Sequence, residues 1–157
     1  MRIGNGFDIH RLESGSPLTI GGAQISWTHR LSGHSDADVL IHAVCDALLG
    51  AVGYGDLGTL FPETQNINRD RDSREFLRVV GAKLTELNAE IQNIDCIIVA
   101  QRPKLSDYFP EMISNIALDL MISNSKVHVK AKTADHLGVI GREEGIAAFV
   151  VALVEDN

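Results

Sequence analysis

Two separate segments of the chain carry side chains that ligate metal ions. Asp8 and His10 are separated by one residue, so on a β-strand their side chains point to the same face. His42 lies in a segment with helical periodicity, and it completes a set of one carboxylate and two imidazoles. Catalytic zinc takes three such ligands and keeps a fourth position open. The alternatives are a His10 hydrogen-bonded to Asp8 and a buried, neutral His42.

The predicted helix around His42 carries further ionisable groups. Asp38, His42 and Asp46 follow one another at intervals of four residues, which places them on one helix face. Such a face is also typical of a solvated surface. Asp38 and Asp46 are candidates either to orient His42 or to cap its helix. The sequence does not distinguish these two roles.

A cluster near the C-terminus has the character of an anion site. Lys132, Thr133 and Arg142 supply cations and a hydroxyl group, and Gly138 and Gly141 leave nearby backbone N–H groups accessible. In an acidic chain, such a local basic cluster is more informative than it would be elsewhere. We therefore predict phosphate binding here; an exposed hairpin with charged ends is the alternative.

Two loops are weaker candidates for ligand contacts. Asp56 lies between Gly55 and Gly58, where the backbone can approach a ligand closely, although an ordinary turn after the helix has the same composition. Residues 101–105 (QRPKL) form a basic segment at the end of an apolar run. Basic loops at strand ends bind ligands, but they also serve only as solvated surface.

The elements that must position these residues follow from periodicity and turn signals. A Ser35-to-Asp38 capping box is expected to start the first helix. The predicted strands cover residues 3–10, 91–100, 127–133 and 146–154, a hairpin joins 17–20 to 24–27 around Gly21-Gly22, helices cover 38–52, 73–87 and 110–123, and residues 56–71 form a loop. This order indicates an α+β fold in which helices cover one face of a sheet, as a single catalytic domain over residues 1–157.

Composition excludes several classes of protein. The chain has 157 residues and a net charge of −7, which argues against a nucleic-acid binder. Apolar residues make up 45% and charged residues 22%, so intrinsic disorder is not expected. Its two cysteines do not make a disulfide scaffold, and they favour a reducing compartment. The longest apolar run, residues 145–154, is too short to span a membrane, and the N-terminus resembles no targeting signal, so we expect a cytoplasmic location.

Taken together, these segments resemble the 2-C-methyl-D-erythritol 2,4-cyclodiphosphate synthase family. The resemblance extends nearly from end to end, and SDADVLIHAVCDA is its most specific part. The other matching segments are RIGNGFDIH, GDLGTLFPET, DSREFL, CIIVAQRPKL, VHVKAKT and LGVIGREEGIAAFVVALV.

The resemblance implies a ferredoxin-like or chorismate-mutase-like sandwich that assembles as a homotrimer with sites between chains. It implies a phosphorus–oxygen lyase of non-mevalonate isoprenoid synthesis, which converts 4-diphosphocytidyl-2-C-methyl-D-erythritol 2-phosphate to the cyclic diphosphate and CMP. Asp8, His10 and His42 would hold Zn²⁺, and Asp135 would help hold Mg²⁺ or Mn²⁺ on the diphosphate. His34 and Thr133 would join the zinc ligands as catalytic residues.

The same resemblance implies a set of substrate contacts, some of them from the neighbouring chain. They are His34, Ser35, Asp56, Gly58, Phe61, Glu63, Ala100, Pro103, Lys104, Leu105, Ser106, Ala131, Lys132, Thr133, Val139 and Arg142. An isoprenoid phosphate in the central channel of the trimer is a further expected partner, whereas nucleic acid and membrane are not.

Four positions depart from the usual family pattern. Residue 63 is Glu where Asp is usual, residue 135 is Asp where Glu is common, and Lys132 replaces a hydroxyl residue of some members. Phe149 stands where other members carry a charge. None of the four is a predicted zinc ligand.

Two other functions are compatible with the residues. A zinc-dependent phosphohydrolase could use Asp8, His10 and His42, although it would need a general base for water that the sequence does not supply. A trimer that senses isoprenoid phosphates could use an apolar channel near Val139, Phe149 and Arg142. CMP with a cyclic product, inorganic phosphate, or binding without turnover would distinguish the three.

Overall fold

The computed structural model describes residues 1–33, 35–62 and 71–156. Seven strands and five helices follow one another along this part of the chain, with two short 3₁₀ turns over Ser106–Tyr108 and Asn124–Lys126. They are β1 (Arg2–Ser14), β2 (Leu18–Ile20), β3 (Ala23–Ile25), β4 (His29–Ser32), α1 (Val39–Val52), α2 (Leu57–Leu60), α3 (Ser73–Glu86), β5 (Ala89–Val99), α4 (Phe109–Asp119), β6 (Val127–Lys132), α5 (Gly138–Gly141) and β7 (Gly145–Asp156).

One five-stranded sheet carries the domain, in the order β4-β1-β7-β5-β6. The β5–β6 pair is parallel and the other pairs are antiparallel. Strand β1 therefore lies inside the sheet, whereas β4 and β6 form its two edges. The β2–β3 hairpin turns at Gly21 and Gly22, whose φ angles of 60° and 70° are those a two-residue turn requires, so this prediction is confirmed.

Helix α1 lies directly on β1 and β7. Its apolar side chains, including Leu40, Val44 and Leu48, are fully buried. A Cβ atom built on Gly4 or Gly6 would come within 1.9 Å of a carbonyl oxygen of α1, so helix and strand touch backbone to backbone here. This close contact sets how far the side chains of α1 stand from those of β1.

Within the described residues, no element covers the opposite face of the sheet, and the part of that face formed by β1 and β7 is apolar. Phe7 and Phe149 are half exposed, and their ring centroids lie 4.7 Å apart. Ile3 and Val151 continue the same face along β1 and β7. The predicted α+β fold with helices on one face is thus confirmed. Within the described residues, no helix is long and apolar enough to cross a membrane.

The structure corrects several details of the predicted elements. Strand β4 was not predicted, and the predicted loop over residues 56–71 contains the short helix α2. The predicted capping box is wrong, because α1 is capped by Asp38 itself, whose carboxylate accepts hydrogen bonds from the N–H groups of Leu40 and Ile41. The Ser35 hydroxyl instead accepts a hydrogen bond from the Ala37 N–H.

Candidate metal centre

The structure brings the three predicted ligands together. Asp8 and His10 come from β1 and His42 comes from α1, and all three side chains are largely but not fully buried. His10 Nε2 lies 2.8 Å from Asp8 Oδ2 and 3.2 Å from His42 Nδ1, and His42 Nδ1 lies 3.0 Å from Asp8 Oδ2. These three atoms form a small triangle.

Neighbouring backbone groups fix the first two ligands. His10 Nδ1 lies 3.0 Å from the carbonyl oxygen of Ser32, which can only accept, so Nδ1 donates to it and Nε2 is the ring atom that faces Asp8. Asp8 Oδ1 accepts a hydrogen bond from the Ile9 N–H at 2.8 Å, which leaves Oδ2 for the triangle.

The charges of the site are mutually dependent. Burial opposes the ionisation of Asp8, but the contacts with His10 and His42 outweigh it and hold the pKa of Asp8 well below its usual range. Burial likewise opposes the charging of His10, and the contact with Asp8 outweighs it and raises the pKa of His10. Asp8 therefore stays ionised, and its negative charge favours a cation in the triangle.

The donor set fits a zinc-like ion. A tetrahedral ion bound at 2.0–2.2 Å would need ligand atoms roughly 3.3–3.6 Å apart. The observed separations of 2.8–3.2 Å require only a slight opening of the triangle. One carboxylate and two imidazoles also leave a fourth position for another ligand.

The structure resolves the roles of the two aspartates on the helix. Asp38 is fully buried, and besides capping α1 it accepts hydrogen bonds from Gly21 N–H at 2.8 Å and Gly22 N–H at 2.7 Å. Asp46 accepts a hydrogen bond from the Leu57 N–H at 2.8 Å and so fixes the start of α2. The groups that contact His42 Nε2 are instead the hydroxyls of Ser73, at 2.9 Å, and of Ser35, at 3.2 Å.

Sequence reasoning missed Ser73 and Asp36, which lies beside it. Ser73 donates a hydrogen bond to Asp36, and the two residues lie in the matching segments DSREFL and SDADVLIHAVCDA. Ser73 is fully buried although it is polar. A serine inside the matching segment DSREFL was the available signal.

Three of the predicted substrate contacts lie in helix α2 or directly beside it. Asp56 is exposed and caps α2, with Oδ1 accepting a hydrogen bond from the Thr59 N–H at 2.7 Å. Hydrogen bonds from the Thr59 hydroxyl and from the Thr59 N–H lower the pKa of Asp56. Gly58 lies within α2, and Phe61 follows it and packs on Phe76 with ring centroids 4.5 Å apart. The predictions for His34 and Glu63 lie outside the described residues.

The predicted nucleotide residues lie at the far edge of the sheet. Asp8 pairs with Ala148, Ala148 with Ile98, and Ile98 with Ala131, so Asp8 and Ala131 share one row across four strands. Three strand spacings separate them by about 14 Å. Lys132, Thr133 and Asp135 follow Ala131 and are exposed. Within one chain, this edge of the sheet is therefore remote from the triangle of Asp8, His10 and His42.

The other predicted contacts occupy the adjoining loops. Ala100 and Leu105 are buried, whereas Lys104 and Ser106 are exposed and Pro103 is half-buried. Val139 is exposed on α5. The predicted anion cluster is modified in one respect, because the guanidinium of Arg142 binds Glu144 at 2.7 Å.

Two clefts border residues next to the triangle. A cleft of about 670 Å³ is lined by His10 together with Val139 and Glu144. A second cleft, of about 410 Å³, is lined by Ser35 and Asp36 on one side and by the β2–β3 hairpin on the other. His10 of the triangle and the predicted substrate contacts Val139 and Ser35 therefore line these clefts.

Comparison with known proteins agrees with this geometry. A 2-C-methyl-D-erythritol 2,4-cyclodiphosphate synthase of Cellvibrio japonicus is 50% identical over 157 residues, which is all of this chain and 99% of that protein. One from Nitrosomonas europaea is 51% identical over 157 residues, covering all of this chain and 96% of the other.

Solved structures show the same fold. The chain matches an IspF of Plasmodium falciparum in complex with CDP, with a TM-score of 0.88, 37% identity, and coverage of 99% of this chain and 96% of that one. It also matches the bifunctional IspDF of Campylobacter jejuni, with a TM-score of 0.95 and 42% identity, covering 99% of this chain but 42% of the longer one. The family model described as YgbB family matches residues 1–155, and the chain belongs to that family.

Proposed function

We propose that this chain is a 2-C-methyl-D-erythritol 2,4-cyclodiphosphate synthase. In this reaction, the 2-phosphate of 4-diphosphocytidyl-2-C-methyl-D-erythritol 2-phosphate attacks the β-phosphorus through one of its oxygens. The bond from the β-phosphorus to the oxygen bridging the two phosphates breaks, and CMP leaves with that electron pair. The single observation that carries the proposal is the Asp8, His10 and His42 triangle on a scaffold of this family.

The chemistry needs no nucleophile from the protein, because the attacking group and the leaving group belong to one substrate. Neither cysteine is a candidate nucleophile, because both are buried and burial raises the pKa of Cys96 to about 12. The work of the chain is to align the two phosphates and to balance their charge. A chain of net charge −7 must do so with local cations and N–H groups.

Two separate groups of residues would hold the two metals. Asp8, His10 and His42 would hold Zn²⁺, with the fourth position left for a phosphate oxygen. Asp135 would help to hold Mg²⁺ or Mn²⁺ on the diphosphate. When bound, the two ions supply Lewis acidity at the attacked phosphorus and charge neutralisation at the departing CMP.

Other residues would position the substrate. Ser35, Asp56, Gly58 and Phe61, together with His34 and Glu63, would contact the methylerythritol and its phosphates. The 100–106 loop and residues 131–133 would hold the cytidine diphosphate, with Val139 and Arg142 nearby. Among the described residues, none forms a hydrogen bond with the Thr133 hydroxyl. This hydroxyl is therefore available to bind a phosphate.

We further propose a homotrimer in which each site is shared by two chains. The row from Asp8 to Ala131 keeps the two halves about 14 Å apart in one chain, so the nucleotide half that completes a triad would come from a neighbour. The uncovered apolar face with Phe7 and Phe149 supports association. The predicted cytoplasmic location, the single-domain boundary at 1–157 and an isoprenoid phosphate on this face remain predictions.

One experiment distinguishes the synthase from the two other functions. Purified protein is analysed for zinc, and the cytidine substrate is then incubated with it in Mg²⁺ or Mn²⁺, with products identified by mass. CMP and a cyclic diphosphate in equal amounts support the synthase. Inorganic phosphate would instead indicate the phosphohydrolase, and an inert protein that binds isoprenoid phosphates would indicate the sensor.

A further inference from the structure

A buried serine behind the triangle connects His42 to a carboxylate. Ser73 is the first residue of α3 and is fully buried. Its hydroxyl lies 2.9 Å from His42 Nε2 and donates to Asp36 Oδ1. Asp36 Oδ2 also accepts the Ser73 N–H at 3.2 Å, so the carboxylate holds both the backbone and the side chain of this serine.

The directions of these hydrogen bonds follow from the groups themselves. The carboxylate of Asp36 can only accept, and the Ser73 hydroxyl has a single proton, which it gives to Asp36. Toward His42 the serine oxygen can therefore only accept, which requires a proton on His42 Nε2. A neutral ring then carries its lone pair on Nδ1, the atom in the triangle.

We propose that Ser73, held by Asp36, is a positioning residue that fixes the Nε2–H tautomer and the ring orientation of His42 for metal binding. The metal itself rests on the proposed function. Without this serine, His42 could protonate Nδ1 and donate to Asp8 Oδ2, at 3.0 Å, and that proton would have to leave before a metal could bind.

Ser35 does not duplicate the role of Ser73. Its hydroxyl is farther from His42 Nε2, at 3.2 Å, and it already accepts the Ala37 N–H. Among the described residues, the other hydroxyl partner of Ser35 is that of Ser73, at 3.3 Å, and no carboxylate takes its proton, so this proton can also be donated to the ring. Ser35 is in addition a proposed substrate contact, whereas Ser73 is buried away from the cleft.

Metal affinity tests the proposal with a matched control. Zn²⁺ affinity of the full-length protein is measured by competition with a chromophoric chelator for wild type, Ser73→Ala and Asp72→Ala. Asp72 caps the same helix through the Arg74 N–H but does not contact His42, so its loss weakens the start of α3 alone. We expect zinc affinity to fall about 10- to 100-fold in Ser73→Ala and to change by less than about 3-fold in Asp72→Ala.

The ring tautomer gives a second measurement that needs neither a variant of Ser73 nor a metal. In the metal-free wild type, ¹⁵N chemical shifts at alkaline pH, with His42 assigned by its absence in His42→Ala, should show Nε2–H. An Nδ1–H ring, or equal loss of affinity in Ser73→Ala and Asp72→Ala, would overturn the proposal. A wild type that binds no zinc but shows Nε2–H would support the tautomer and contradict the proposed function, so the two failures are distinguishable.

Discussion

The carboxylate of Asp38 accepts the backbone N–H of Gly22 at 2.7 Å and thereby ties the start of α1 to the β2–β3 hairpin. The same side chain receives the N–H groups of Gly21, Leu40 and Ile41. One fully buried carboxylate therefore serves four donors on two elements. The helix that carries His42 depends on it.

Replacing Asp38 should destabilise the whole domain. Asp38→Ala leaves four N–H groups without this acceptor in a buried place, and we expect the free energy of unfolding to fall by at least ~3 kcal/mol. Denaturant unfolding followed by circular dichroism measures the loss. Asp72→Ala is the matched control, because this cap of α3 accepts one N–H near the surface and should cost only ~1 kcal/mol. Equal losses would show that Asp38 acts only as a helix cap.

Two glycines that contact or belong to α1 should respond in opposite directions to alanine. In Gly6→Ala the new Cβ would meet the Ala43 carbonyl oxygen at 1.9 Å, and we expect the protein to lose more than ~3 kcal/mol of stability. In Gly50→Ala the nearest atom is 3.9 Å away, so the helix should gain up to ~1 kcal/mol. Thermal unfolding of the two variants provides the comparison. A well-folded Gly6→Ala with wild-type stability would contradict the close backbone contact.

Loss of any one ligand should remove most of the metal. Three protein ligands leave no spare donor, so His42→Ala and Asp8→Ala should each abolish turnover and zinc content while the fold is retained. Elemental analysis gives the zinc content, and circular dichroism checks the fold. His128→Ala is the control, because this exposed imidazole lies on β6 outside the triangle. Full zinc content in His42→Ala would refute the ligand assignment.

The shared site can be tested by mixing two inactive variants. Asp8→Ala removes the zinc half and Thr133→Ala with Asp135→Ala removes the nucleotide half, so each homotrimer should be inactive. In mixed trimers at equal amounts, about one quarter of the interfaces should join two intact halves. Activity should then recover to roughly a quarter of wild type if the sites act independently. Mixed trimers confirmed by mass spectrometry but without activity would place each site within one chain.

The parts of the fold that were predictable are those with a strong local signal. The apolar periodicity of α1 and the Gly21-Gly22 pair each identify an element without reference to the rest of the chain. Strand β4 escaped prediction because it is four residues long and only Leu31 is buried in it. It becomes a strand because β1 offers it an edge. Helix α2 likewise depends on a hydrogen bond that the Leu57 N–H donates to Asp46, a residue of another helix.

The metal ligands of the candidate site were predictable from the sequence, whereas Ser73 was not. Asp8 and His10 could be grouped because a strand places alternate residues on one face, and His42 joined them by ligand chemistry. Ser73 could not be found in this way, because its neighbours Asp36 and His42 lie 37 and 31 positions earlier in the chain. Its role comes from tertiary packing, which brings the start of α3 against the start of α1.

The place of β1 inside the sheet has a consequence for how the metal would be retained. Asp8 and His10 lie on a strand whose amides are paired with β7 and, further along, with β4, so they are released only when the sheet itself separates. His42 is fastened to the same strand by the backbone contact at Gly6. A metal held there would therefore slow hydrogen exchange throughout β1, β7 and α1 together, and chelation would lower the protection of all three by a common factor.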